Sequence, residues 1–195
     1  YRVSGTDHSI SFAEISEAAY HGAVYPEGVE LGLEETAFYD PFDRSYSSSI
    51  HLAVVIVDAD TGQVVLRNYC AADDCGTIIN PMILEGQVHG GVAQGVGQAL
   101  MEEIAIDHTT GQVLTGSFMD YAMPRAFDLP FIHFTEQETP TPHNAIGCKG
   151  GGESGTIGPP AALGNAVVDA LWHLGVRHID MPMTPNSVWR AMQDA

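Results

Sequence analysis

PMILEGQVHGGVAQGVGQALMEE, residues 81–103, decides how this chain folds. Leu84, Val88, Val92, Val96 and Leu100 recur every four residues, the spacing that stacks side chains on one face of an α-helix. Pro81 suits a helix start, because the N–H it lacks would have no partner there. The opposite face carries a second stripe, Gln87, Gly91, Gln94 and Gln98, and no Asp, Glu, Lys or Arg stands between Gly86 and Met101. A helix face turned to water would carry charges. Gly86, Gly90, Gly91, Gly95 and Gly97 each cost ~1 kcal/mol relative to alanine inside a helix. Close packing must compensate, either against another backbone at a tight helix crossing or against a flat ligand. The pattern alone favours the crossing.

Working outward, His51 to Asp58 is rich in β-branched residues, Ala59 to Gly62 reads as a turn, and Gln63 to Tyr69 as a return strand, together a hairpin. Ser11-Phe12-Ala13-Glu14 is a capping box opening a short helix to about Tyr20, stopped by Gly22. Residues 28–39 read as extended. Short strands are expected around Val113-Leu114 and from Phe131 to Phe134, a proline-rich loop from Thr139 to His143, and a last helix from Ser187 to Met192. No regular βαβ rhythm appears, which points to an α+β fold of mixed helices and short sheets. The expectation is one domain over residues 1–195, or two intimate lobes divided near residue 105.

Residues 147–158, GCKGGGESGTIG, place six glycines in twelve positions ahead of Pro159-Pro160 and a helical apolar pattern running from Leu163 to Leu174. A glycine loop feeding a helix N-terminus binds anions through backbone N–H groups and the helix dipole, and Lys149 adds a positive charge. No Gly-Lys-Ser/Thr ends the loop, so it is not a P-loop. Glu153 is out of place beside a phosphate. It suits a general base aimed at a reacting centre. A lone glutamate here would otherwise cap the loop or the helix.

Composition limits the function classes. Twenty-five acidic against seven basic residues give a formal charge of -18, which argues against nucleic acid or an anionic membrane as partner. No apolar run nears the ~20 residues that span a bilayer. No secretory leader is recognisable. Three cysteines (Cys70, Cys75, Cys148) are too few for a disulfide scaffold, and a reducing cytoplasm is the expected location. Charged residues make up only 16% of the chain, which suggests that much of its surface lies against something else.

Two long segments resemble one family. Residues 141–169, TPHNAIGCKGGGESGTIGPPAALGNAVVD, are similar to the terminal active-site loop and helix of molybdenum hydroxylase large subunits, the xanthine dehydrogenase, aldehyde oxidase and carbon monoxide dehydrogenase family. Residues 73–100, DDCGTIINPMILEGQVHGGVAQGVGQAL, resemble the same family's Asn-Pro helix with its Gly-Gln-Val signature. The resemblance implies the C-terminal part of a molybdopterin-binding subunit, with the cofactor as molybdopterin cytosine dinucleotide. It implies that Glu153 is the base in a hydroxylation that takes its oxygen from water, and that Gln87 holds the pterin side of the cofactor. Lys149, Gly150, Gly151 and Gly152 fall where the family contacts the pyrophosphate or dinucleotide. Gly151 replaces a valine or other apolar residue of many relatives, which is expected to loosen the loop. The molybdenum takes its sulfur ligands from the pterin, so no protein metal ligand is implied. An upstream molybdenum domain, an iron–sulfur subunit, an FAD-carrying flavoprotein and a small-molecule substrate are the implied partners. The competing reading is a non-catalytic module that kept the fold and binds a nucleotide-like ligand.

Overall fold

The computed structural model describes residues 1–21, 25 and 27–195, which form two compact units, Tyr1–Asp40 and Pro41–Ala195. The first unit is built on helix α1 (Phe12–His21). Its capping box forms as the sequence suggests: Glu14 N donates to Ser11 Oγ at 3.2 Å and Ser11 N donates to the Glu14 carboxylate at 2.8 Å. The expected stop at Gly22 lies outside the described residues. Residues 28–39 form no strand and pass through bends at 31–33. The division into units falls after Asp40, and helices on either side of residue 105 pack against each other inside the second unit.

That unit holds a three-stranded sheet in the order β1 (Ser48–Val57), β2 (Val64–Asp74), β3 (Ile132–Glu136). β1 and β2 form the expected antiparallel hairpin. Its turn is closed by the Asp58 carboxylate, which accepts from the N–H groups of Asp60 and Thr61, and by Gly62 at φ +73°. β3 joins β2 in parallel. Around Val113 only a single bridge to Ile106 forms. Val54 pairs with Asn68 and Val55 with Leu66, so Arg67 is bulged out of the ladder. The bulge shifts the pleat of β2 by one residue and turns Leu66, Tyr69, Ala71 and Asp73 all inward. In β1 the alternation is regular: His51, Ala53, Val55 and Val57 face inward, while Ile50, Leu52, Val54 and Ile56 face away.

Helix α2 (Pro81–Leu100) starts where the sequence says, with the Asn80 side chain accepting from Ile83 N at 3.2 Å. It ends at Leu100, three residues before Glu103, because the N–H groups of Met101 and Glu102 both turn back to the Gly97 carbonyl. Its whole apolar stripe is buried, with Val88 and Val92 fully so. Each such side chain contributes about 1.5–3 kcal/mol. Helix α3 (Ser154–Leu171) starts five residues before Pro159, where the sequence reading placed a loop. A proline inside a helix costs about 3 kcal/mol. Here Pro159 is buried against Gly95, where an added Cβ would stand 2.7 Å from the proline ring. Helix α4 (Pro185–Gln193) is capped by Thr184, whose Oγ1 accepts from Ser187 N.

The glycines of α2 therefore divide into two groups. A Cβ on Gly91 would lie 2.8 Å from the backbone of Gly155 and Thr156, and one on Gly97 would meet the Glu102 carboxylate, whereas one on Gly86 or Gly90 would meet nothing within 4 Å. The helix-crossing reading explains Gly91 and Gly95, which meet α3; Gly97 instead makes room for the turn that follows α2, and Gly86 and Gly90 face open space. Gly91→Ala is expected to destabilise the chain by about 1–3 kcal/mol through overpacking. Gly86→Ala is expected to stabilise it by up to about 1 kcal/mol through helix propensity. Urea denaturation of the two variants reads the contrast directly.

Candidate functional site

Strand β2 ends at Asp74, and the chain runs through Cys75 to Asn80 into α2 while residues 147–153 lead into α3 beside it. These two connections are laced together. Thr77 N donates to the Gly147 carbonyl at 3.0 Å and Lys149 N to the Cys75 carbonyl at 2.8 Å. Asn144 holds the loop from its other side, its side chain accepting from Cys148 N and donating to Cys148 O. Gly76 (φ +65°) and Gly147 (φ +74°) both take left-handed backbone, and a Cβ on Gly76 would stand 2.3 Å from the Gly147 carbonyl.

Asp74 is the hub of this lacing. Its carboxylate accepts from Lys149 Nζ at 2.9 Å, Gly76 N at 2.9 Å and Thr139 N at 3.1 Å. Burial pulls its pKa upward, but the hydrogen bonds from Lys149, Gly76 and Thr139 outweigh it and hold the carboxyl well below the usual range. Lys149, expected from sequence to add a charge for an anion, thus has that charge balanced inside the loop. The N–H groups of Gly150, Gly151 and Gly152 donate to no acceptor among the described residues.

Between this loop and the start of α2 lies an open cleft of ≈ 440 Å3, lined among others by Cys75, Ile79, Ile83, Gln87, Lys149 and Gly152. Gln87 reaches across it and donates from Nε2 to the Gly152 carbonyl at 3.3 Å. Gly150 has open space where a Cβ would be, and Gly152 has only Gln87 Nε2 at 3.8 Å, so the loop backbone is bare toward the cleft. Gly151 differs. A Cβ there would come within 2.6 Å of Leu84 Cδ1 and 3.0 Å of Cys75 Sγ, so those side chains already fill the room a larger residue would take. The floor of the loop at Gly151 is closely packed. Burial, with Asp73 and Asp74 adding to it, pushes the Cys75 thiol pKa up despite the Ser154 contact, so this sulfur is a neutral packing group and no nucleophile.

Glu153 takes the N-cap position of α3, at φ −122° and ψ 3°, yet its side chain makes no capping hydrogen bond. It is exposed, next to the cleft-lining Gly152, and its carboxylate meets no donor or cation among the described residues. The capping reading of this glutamate therefore has no hydrogen bond behind it. One turn on, Thr156 Oγ1 donates to Gln94 Oε1, joining the second stripe of α2 to the first turn of α3. The cleft is lined by Gln87, Lys149, Gly151 and Gly152, while Gly150 and Glu153 adjoin these in the loop and are not among its lining residues. Sequence reading missed Asp74 and Asn144. The signal for Asp74 was the Asp73-Asp74 pair at the end of an otherwise apolar hairpin.

Comparison with known proteins gives the same family throughout. Residues 1–130 match the family model of the molybdopterin cofactor-binding domain. The carbon monoxide dehydrogenase large chain of Hydrogenophaga pseudoflava is 41% identical over all 195 residues, and the nicotine 6-hydroxylase large subunit of Paenarthrobacter nicotinovorans is 40% identical over 97% of the chain. The chain spans about a quarter of each, 24% and 23% of their lengths. Among solved structures, quinoline 2-oxidoreductase from Pseudomonas putida 86 superposes with a TM-score of 0.87 at 45% identity, covering 95% of this chain and 24% of that one. The chain belongs to the molybdopterin cofactor-binding domain family of the molybdenum hydroxylases, which includes the carbon monoxide dehydrogenase and xanthine dehydrogenase large subunits.

Proposed function

We propose that this chain supplies the C-terminal wall of a molybdenum hydroxylase active site, with Glu153 as general base. The observation that carries the reading is the exposed carboxylate of Glu153, one residue from the cleft-lining Gly152, without a partner among the described residues and without the hydrogen bond that a helix cap would make. The residues present fit a flat, anionic cofactor. Gly150 and Gly152 leave bare backbone, three loop N–H groups lack acceptors, and Gln87 lies across the cleft. In this reading Gln87 holds the pterin side, and the Gly150, Gly151 and Gly152 N–H groups face the pyrophosphate of molybdopterin cytosine dinucleotide. Lys149 positions that loop through Asp74. The bound cofactor supplies the two-electron oxidation of the substrate. Glu153 accepts a proton on its carboxylate as a water-derived oxygen is delivered to the substrate carbon. An aldehyde, an N-heterocycle or carbon monoxide is the substrate class. Turnover requires the upstream molybdenum domain, and iron–sulfur and flavoprotein subunits carry the electrons away, in the cytoplasm. Among the described residues no helix is long and apolar enough to cross a membrane.

Glu153→Gln in the intact complex keeps the shape and removes the proton acceptor. Turnover is expected to fall by ~10²–10⁴-fold with molybdenum content retained. A fully loaded variant turning over at near the wild-type rate would overturn Glu153 as the base, whereas a wild-type complex that binds the cofactor and turns over none of these substrates would favour the non-catalytic module. Gln87→Leu is expected to lower cofactor occupancy while leaving the unfolding midpoint nearly unchanged, checked by molybdenum analysis and calorimetry on the same preparation.

Lys149→Met tests the clamp. It leaves Asp74 with two backbone donors and no cation, at a cost of about 1–3 kcal/mol. The pH dependence has a definite sign. The folded-state pKa of Asp74 is lowered, so its stabilising contribution is full above the unfolded carboxyl value of ~3.9 and is lost as pH falls below it. Acid unfolding of the wild type between about pH 4 and 2 should therefore be steeper than that of Lys149→Met.

A further inference from the structure

Beneath α3, on the inward face of the sheet, lies a cluster of polar side chains that the cleft does not use. His51 pairs with Ala71 in the β1–β2 ladder, and Tyr69 and Asp73 flank Ala71 on the same face. Ala71 is small, and its size leaves the imidazole room to lie between its two neighbours. His51 Nδ1 is 2.7 Å from the Tyr69 hydroxyl, with the two rings edge to face at 89°. His51 Nε2 is 3.6 Å from Asp73 Oδ2, and the two side chains are 2% and 0% exposed. Neither carboxylate oxygen of Asp73, nor His51 Nε2, has a hydrogen-bond partner among the described residues. Burial, with the Asp73 charge adding to it, raises the Tyr69 hydroxyl pKa, so this phenol stays protonated.

A buried carboxylate without a partner is strongly disfavoured, and the one Lys, Arg or His side chain within 4 Å of Asp73 among the described residues is His51. Replacing such a pair with apolar side chains commonly stabilises a protein, so stability alone is a poor account of its presence. Its location offers a better one. A Cβ on Gly158 would stand 2.4 Å from His51 Cγ, so the imidazole is the surface on which the second turn of α3 rests. Gly158 lies five residues after Glu153 on that helix.

We infer that His51 and Asp73 are a buried positioning pair that seats the first turns of α3 on the sheet and so fixes where Glu153 stands beside the cleft. The pair works as a unit: His51 supplies the surface under Gly158, and Asp73 holds the imidazole in place from β2. Asp73 is adjacent to Asp74, so the strand end that seats α3 also clamps the glycine loop. The functional half of this inference rests on Glu153 acting as proposed. The structural half does not.

The test uses the complete enzyme with its cofactor and three variants, His51→Asn, Asp73→Asn and the double variant. Two readouts are taken: amide hydrogen exchange over residues 154–158, and dye-coupled turnover with carbon monoxide, an aromatic aldehyde and an N-heterocycle. His51→Asn alone removes the surface under Gly158 and leaves Asp73 buried without a partner. Exchange in the first turn of α3 should quicken, and turnover should fall by roughly 10²-fold with molybdenum retained, the scale of an ångström-level misplacement. Asp73→Asn alone frees the imidazole from β2 and should move both readouts the same way by less. The double variant should lose no more than His51→Asn alone, because the two side chains act as one seat. Losses in the double variant that equal the product of the two single losses overturn the pair, and quickened exchange with turnover unmoved in every variant overturns the link to Glu153. If His51→Asn does not accumulate, the same two readouts on Asp73→Asn carry the test, and wild-type values in both overturn the proposal. The exchange readout is independent of the chemistry assigned to Glu153, so an active Glu153→Gln enzyme would remove the base while leaving the seat testable.

Discussion

Helix α2 meets helix α3 backbone to backbone, and the site depends on that contact. Gly91 lies on Gly155, Gly95 receives the ring of Pro159, and Thr156 donates to Gln94 just above them. Side chains of any size would hold the helices further apart, and the glycine loop would then start too far from Gln87 for the bond to Gly152. The contact also explains how α3 tolerates Pro159 within its span. The hydrogen bond it forgoes is compensated by a ring buried in a notch that only glycine leaves open.

Electrostatics in this chain runs on backbone groups more than on side chains. Seven basic residues serve 25 acidic ones, and Lys149, the one in the loop, is committed to Asp74. What remains for an anion is a set of N–H groups at the start of a helix, a fixed partial charge that needs no counter-ion and no side-chain ordering. That is an economical way for an acid-rich protein to hold a negatively charged ligand. It also keeps flexible cations away from a carboxylate whose proposed work is to take a proton.

Much of this was legible in the sequence. The four-residue stripe from Leu84 to Leu100 placed α2 and the turn at Asp58 to Gly62 placed the hairpin, whereas the charge-free second stripe, read as a covered face, has Gln87, Gln94 and Gln98 exposed. The start of α3 was not legible: Pro159-Pro160 is a strong helix-start signal, and only the notch at Gly95, formed by residues more than sixty positions away, reverses it. The same holds for the Asp74 hub and for His51. In β1 the histidine fits the inward phase of the alternation, but its partners depend on the register of β2, and that register contains a bulge that no periodicity reveals. Local pattern gave the elements. Long-range contact decided what the polar residues among them do.

The bulge at Arg67 has a consequence for how this strand tolerates change in length. With Arg67 present, residues 69, 71 and 73 share the inner face with Leu66. Loss of that one residue would join Leu66 to Asn68, opposite Val55 and Val54 as they now stand, and would restore a regular ladder with every later residue on its present face. Tyr69, Ala71 and Asp73 would stay beneath α3. A single-codon deletion at this position would therefore be absorbed by the bulge, whereas loss of Cys70 with the bulge kept would turn Ala71 and Asp73 to the outer face, because side chains alternate with a period of two.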